Sequence, residues 1–279
     1  MALTLHPFDA PLGAEARGFD PRTVSDEDLD ALRRALALHG VLVLHDQRLT
    51  PAELVGFSRR FGELEYHVLD QYWLAAQPEV YVISNIVENG KPIGNPREGF
   101  GWHTDLSYMP LPTAYTFLYG LEVPETGAET LLCTIYPATD ALPAEQRARL
   151  ETVTLRHSYE MLHASRPWAA PLTEQQKARS PDVFHPLMRT HPITGRKGLY
   201  LGGATCALPL DMDAEAGGAL MRDLFAAATR PEHVYAHKWR RHDLLFWDNR
   251  GVMHSATEYD RERQRRLIHR TSVRGEKPY

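Results

Sequence analysis

The tetrapeptide Trp102-His103-Thr104-Asp105 sets an imidazole and a carboxylate two residues apart, so on an extended strand both side chains leave the same face. One more ligand from a neighbouring strand would complete three donors on one side of a metal and leave the opposite positions open. Two imidazoles and one carboxylate arranged in this way suit non-haem Fe(II) that activates oxygen. The same donors also suit a zinc ion that activates water, or a cupin-like protein that holds a metal without catalysis. Spacing alone does not decide. With 14 histidines and 36 acidic residues, about two His-x-acid triplets are expected by chance, and the chain holds one.

The C-terminal run FWDNRGVMHSATEYDRERQRRLIHRTSVRGEKPY supplies the context. His254 follows a turn after an apolar strand. On the strand-like run beyond it, one alternating register puts Arg266, Ile268 and Arg270 on a common face, and the other puts Arg265, Leu267 and His269 there. The pattern leaves that register open.

These residues need a scaffold. Ser25 and Thr50 stand where N-caps belong, before DEDLDALRRALALHG and before a Pro51 start with Glu53 three positions after the cap, which predicts helices from Asp26 to Gly40 and over 51–61. VLVLHD between them reads as a buried strand. From about residue 78 the texture turns to short strands separated by turn formers, among them Asn89-Gly90 and a His191 to Arg196 hairpin turn, with helices only near Ala144 to Leu150 and Asp213 to Thr229. Many short strands with few helices and no regular βαβ alternation predict a mainly β fold with flanking helices, a jelly roll formed by one domain over residues 1–279. The Gly- and Pro-rich segment 86–101 leads into the His103 motif and, with 160–182, is a candidate lid.

Composition narrows the partners. A net charge of −5 gives no generic attraction to nucleic acid or anionic membrane, and the basic run Arg261 to Arg274 reads as a solvated strand edge plus two pocket arginines. No apolar stretch approaches the roughly 18 residues of a membrane span, and MALTLHPFDAPLGAE lacks the pattern of a secretory signal. Cys133 and Cys206 are too few for a disulfide framework. The expectation is a cytoplasmic protein; whether subunits pair is left open. Trp102 and Trp247 read as core aromatics, and His157, His163, His185 and His191 as surface or hydrogen-bonded core residues.

Taken together, WHTDLSY, the GAET turn ending at Thr130, WDNR at Trp247 to Arg250, His254 and the QRRLIHRTSVRGEKP ending resemble the family of Fe(II)- and 2-oxoglutarate-dependent oxygenases that includes taurine dioxygenase and 2,4-dichlorophenoxyacetate dioxygenase. The resemblance runs from Pro11-Leu12-Gly13-Ala14-Glu15 through Phe61-Gly62-Glu63-Leu64 to the last strand. It implies a double-stranded β-helix, with iron held by His103, Asp105 and His254 and with O2 and 2-oxoglutarate as co-substrates. It implies that Thr130 hydrogen-bonds 2-oxoglutarate, that Arg266 pairs with its distal carboxylate, and that His67 and Arg270 contact the primary substrate. His254 and Arg266 stand one residue further apart than is usual in the family, which keeps Arg265 as an alternative, while the spacing to His269-Arg270 favours Arg266. Gly99 and Ala204 replace an asparagine and a phenylalanine of the taurine enzyme. That departure implies a roomier pocket for a larger anionic organic molecule, a carboxylate, sulfonate or sulfate. The implied reaction is C–H hydroxylation with succinate and CO2 as co-products, and the retained Asp105 favours hydroxylation over halogenation.

Overall fold

In the computed structural model, which describes residues 3–166 and 169–279, the chain opens with a hairpin that the sequence pattern did not announce, β1 (Thr4–Pro7) and β2 (Ala14–Arg17). Prolines and a short span hide these strands. Helix α1 (Asp26–His39) begins where Ser25 accepts the Asp28 N–H at 3.0 Å. Strand β3 (Val41–Leu44) follows, and α2 (Pro51–Arg59) starts on a reciprocal Thr50–Glu53 cap.

Strands β4 (Leu64–Glu65), β5 (Trp73–Leu74) and β6 (Gln77–Ser84) precede a small hairpin, β7 (Val87–Glu88) and β8 (Lys91–Pro92), turned by Asn89-Gly90. Segment 86–101 is therefore not wholly irregular. The long β9 (Thr113–Glu122), β10 (Thr130–Thr134), α3 (Tyr136–Asp140), α4 (Ala144–Leu150) and β11 (Thr154–His157) come next. Two short helices, α5 (Tyr159–Ala164) and α6 (Glu174–Arg179), occupy the 160–182 segment, of which 167–168 lie outside the described residues. The chain continues through β12 (Val183–Pro186), β13 (Met188–Thr190), β14 (Lys197–Leu199) and β15 (Ala207–Pro209), with the expected hairpin turn at 191–196. It ends with α7 (Ala214–Ala228), β16 (Val234–His237), β17 (Leu244–Asp248), β18 (Val252–Ala256) and β19 (Leu267–Arg274).

The major sheet runs β1-β2-β3-β17-β9-β19-β6-β5, with β4 also on β19, and a minor sheet runs β16-β10-β18. Alternation divides each strand between two cores. On the major sheet Phe117, Phe246 and Val273 face out and pack with Leu32, Leu36 and Phe57 of the two N-terminal helices. Leu118, Trp247 and Ile268 face in and meet Leu132 of the minor sheet. The outer face of the minor sheet, with Cys133 and Met253, is covered by Leu224 and Phe225 of α7. Two sheets stacked around an inner core form the jelly roll of a double-stranded β-helix.

One expectation fails here. The basic C-terminal run is not a solvated edge, because β19 lies between β9 and β6 in the interior of the major sheet. Within it Arg270 faces Asp105, and of the two arginines just before the strand Arg265 reaches Glu122 at the surface while Arg266 is buried.

Candidate metal centre

His103 and Asp105 do not sit on a continuous strand, as their spacing suggested. His103 makes single bridges to His254 and Gly203, and Asp105 lies in a turn. The reason is local: Gly99 and Gly101 have φ of 90° and 81°, and Leu106 has φ of 49°, so the segment cannot stay extended. The bridge replaces the strand. His103 N–H donates to His254 O at 3.0 Å and His254 N–H to His103 O at 2.9 Å, which sets the two imidazoles side by side with ring centroids 4.1 Å apart. His254 itself lies on β18, opposite Leu132 of β10.

Ligand atoms of His103, Asp105 and His254 lie within 4.8 Å of one another. The two Nε2 atoms stand 3.8 and 3.7 Å from the Asp105 oxygens, too far to hydrogen-bond them. His103 Nδ1–H donates to Gly101 O at 2.7 Å, which leaves its Nε2 lone pair free to point inward. The His254 Nδ1 is buried without a partner among the described residues, and its ring is held by the bridge and by Trp247 at 4.5 Å. Burial drives the His254 pKa down to about 3, so the imidazole is a neutral donor. Burial alone would raise Asp105, but the Arg270 charge and the Thr116 hydroxyl reverse this and hold it well below the usual carboxylate range. Two imidazole nitrogens and one ionised carboxylate fit a divalent iron.

Sequence reasoning missed what holds Asp105. Thr116 Oγ1 donates to Asp105 Oδ2 at 2.6 Å, and Asn249 Nδ2 donates to Thr116 Oγ1 at 2.9 Å. Asn249 Oδ1 accepts from the Asp105 N–H at 3.2 Å and from the Trp247 indole at 3.1 Å. The WDN run was the available signal for Asn249; an inward threonine on β9 carries none.

The other expected site residues fall in two places. His67 and Arg270 line one cavity with His103 and Asp105. Arg270 Nη1 is 3.4 Å from Asp105 Oδ1 and the guanidinium lies 4.7 Å from the Tyr81 ring. His67 Nδ1 accepts the Leu69 N–H at 3.1 Å, and burial followed by the Arg270 charge lowers its pKa to about 3. Its Nε2 therefore carries the proton. Ala204 lines this cavity as anticipated, but the polar residue beside Gly99 that reaches it is Glu98. Glu98 accepts from Asn95 Nδ2 at 2.6 Å and faces Arg166 at 3.6 Å. Burial opposes its ionisation, and the Arg166 and Arg270 charges overcome this to bring its pKa to about 2.

Thr130 and Arg266 do not line that cavity. Thr130 shares the inward face of β10 with Leu132, and Arg266 lies buried immediately before β19. Arg266 is 3% exposed and has no acidic partner among the described residues; burial lowers its pKa to about 10. Arg265 is exposed and holds Glu122 at 2.7 and 3.1 Å.

The remaining histidines depart from expectation in part. All four are buried. His163, His185 and His191 bond Ala170 O, Met109 O and Asp248, but both ring nitrogens of His157 lack partners among the described residues. Trp247 is a core aromatic that also touches the His254 ring and Asn249, and Trp102 packs on the outer core and lines the cavity beside His103.

Residues 4–272 match the family described as "Taurine catabolism dioxygenase TauD, TfdA family". The chain belongs to this family. It is therefore an Fe(II)- and 2-oxoglutarate-dependent dioxygenase that uses O2 and hydroxylates small organic molecules, which leaves neither a zinc hydrolase nor a non-catalytic cupin as its reading. The dioxygenase is 33% identical over 267 residues to pentalenolactone F synthase of Streptomyces arenae, covering 90% of this chain and 88% of that one. It is 31% identical to (S)-phenoxypropionate/alpha-ketoglutarate-dioxygenase of Sphingobium herbicidovorans, covering 96% and 94%. A crystal structure of AAD-2 in complex with Mn(II) and N-oxalylglycine superposes with a TM-score of 0.84 at 30% identity, covering 100% and 99%. Among the described residues, no helix of the dioxygenase is long and apolar enough to cross a membrane.

Proposed function

We propose that His103, Asp105 and His254 hold the iron, that Arg266 and Thr130 hold 2-oxoglutarate, and that Arg270 and His67 receive a small anionic organic substrate. The observation that carries this is the convergence of three metal-type donor atoms within 4.8 Å in a fold that also buries Arg266 without a counter-ion among the described residues. A buried guanidinium with no carboxylate is costly unless an anion completes it, and a carboxylate fits its planar fork.

When bound, the iron supplies oxygen activation. The protein supplies placement. The Thr116–Asn249 pair fixes the orientation of Asp105, and the Gly101 carbonyl fixes that of His103. In the cavity beside the triad, Arg270 provides a buried positive charge and His67 an Nε2–H donor. Leu106, Tyr108, Leu162 and Ala204 give it an apolar wall that keeps water from a reacting C–H group. An aryl or alkyl carboxylate suits this combination, in line with the phenoxypropionate named for one relative; a sulfonate or sulfate shares the charge. We assign this activity to one domain of residues 1–279, to the cytoplasm, where the unpaired Cys133 and Cys206 thiols are at home, and to a site that needs neither nucleic acid nor membrane.

The test is a panel of small carboxylates, sulfonates and sulfates in which succinate formation and substrate loss are both measured. A substrate that raises succinate formation in the wild type and shows a raised KM in Arg270→Gln supports the reading. Turnover only of cationic or uncharged compounds would overturn the anionic assignment.

A further inference from the structure

Thr130 is 2% exposed at the start of β10, paired with His237 of β16 on one side and Ala256 of β18 on the other. Its hydroxyl has one side-chain hydrogen-bond partner among the described residues. The Trp239 indole Nε1–H donates to Thr130 Oγ1 at 3.1 Å. An indole nitrogen can only donate, whereas a hydroxyl offers one proton and two lone pairs. The bond therefore uses a lone pair of Thr130 and leaves its proton without an acceptor among the described residues. Buried hydroxyl protons seldom stay unpaired.

The indole is itself clamped. The His237 ring meets it edge to face, with centroids 4.7 Å apart, and His237 Nε2 lies 3.2 Å from the buried Asp243. It also lies against β9 at Gly120, where a Cβ would come within 3.0 Å of Trp239 Cε3. Gly120 is paired with Ile268, two residues from Arg266. One aromatic side chain thus spans from the threonine on the minor sheet to the part of the major sheet that carries the arginine.

We infer that Trp239 is a positioning residue for 2-oxoglutarate: its N–H occupies the Thr130 hydroxyl as acceptor and so presents that hydroxyl as a donor to the 2-oxo acid. This rests on the assignment of Thr130 to the co-substrate. Without the indole N–H, the hydroxyl is free to turn its proton elsewhere, and the co-substrate loses a pre-oriented partner.

The test is a double-mutant cycle on Mn(II)-loaded protein without oxygen, with 2-oxoglutarate affinity measured by calorimetry. Thr130→Val should weaken binding about 10-fold and Trp239→Phe about 5-fold, the size of one hydrogen bond. The double variant should be no weaker than Thr130→Val alone, because both changes remove the same interaction. Replacing the indole N–H by sulfur, with 3-benzothienylalanine at position 239, keeps the shape and should match Trp239→Phe. Losses that add independently, or wild-type affinity in both position-239 variants while Thr130→Val is impaired, would overturn the inference and leave Thr130 in place. Unchanged affinity in Thr130→Val would remove the assignment of Thr130 and the inference with it.

Discussion

Arg265 and Arg266 are neighbours with opposite fates: the first is 62% exposed and grips Glu122 at 2.7 and 3.1 Å, and the second is buried with no acidic partner among the described residues. The ion pair at the surface occupies the Arg265 guanidinium, which supports the proposal that Arg266 receives the co-substrate. Removal of each side chain should therefore have unequal effects. Arg266→Ala should weaken 2-oxoglutarate binding about 100-fold, as expected for a buried two-pronged carboxylate contact, while Arg265→Ala changes it less than about 2-fold, as surface pairs usually do. Equal losses, measured by calorimetry, would contradict the assignment.

Asp105 is oriented by a threonine that is oriented by an asparagine. Thr116→Val keeps the side-chain shape and removes the donor. It should lower Fe(II) or Mn(II) affinity about 10-fold, at the low end of what outer hydrogen bonds contribute to metal sites. Asn249→Ala should act in the same direction, and the two losses should not add. Metal titration of the three variants decides this.

Packing behind the site should be separable from the site. Phe57 on α2 meets Phe61, Phe117 and Phe246 edge to face at 5.3 to 6.0 Å, on the face of the major sheet away from the metal centre. Phe57→Ala should destabilise the fold by about 3–5 kcal/mol, read by urea unfolding. Metal affinity of the folded fraction should stay within about 2-fold of wild type; a larger change would mean that the outer core also sets ligand geometry.

Stability of the metal-free protein should fall as the solution is acidified, starting well above the carboxylate range. Burial lowers His157 to about 3 and His269 to about 4, whereas in the unfolded chain each titrates near its ordinary value of about 6.5. Between these values the unfolded state binds protons that the folded state refuses, so stability is fully present above about pH 6.5 and declines below it. Between pH 7 and pH 5, His157 alone should contribute about 2 kcal/mol of loss, which His157→Leu should abolish. Below about pH 4 the lowered carboxylates Glu98 and Asp248 add losses of the same sign, since each favours the fold while ionised. Urea midpoints that do not move between pH 7 and pH 5 would contradict this.

The legibility of the site follows chain distance and chemistry. His103 and Asp105 are adjacent enough for spacing to pair them, although a turn between positive-φ positions, not a strand, makes them converge. His254 reaches His103 through a two-residue bridge from β18, and only the likeness of whole motifs picked it from the other histidines. The alternation on β19 exposed both faces but could not choose between them; the choice is made by Glu122 outside and Asp105 inside. Thr116, Glu98, Arg166 and Trp239 were not legible, because an inward threonine, a loop acid, an arginine just past a short helix and a tryptophan beyond a strand end have ordinary structural roles elsewhere. The main strands and the longer helices were readable from alternation and caps, while β1, β2, α5 and α6 are too short to show a period.

The most direct test of the account is anaerobic titration of the Fe(II) protein with 2-oxoglutarate, following the weak visible charge-transfer absorption of the chelate in the wild type, His254→Ala and Arg266→Ala. The account predicts a saturable band in the wild type, none in His254→Ala, and a band in Arg266→Ala that needs far more 2-oxoglutarate to develop. A folded, iron-loaded wild type that shows no band, or a His254→Ala variant that shows the wild-type band, would contradict it.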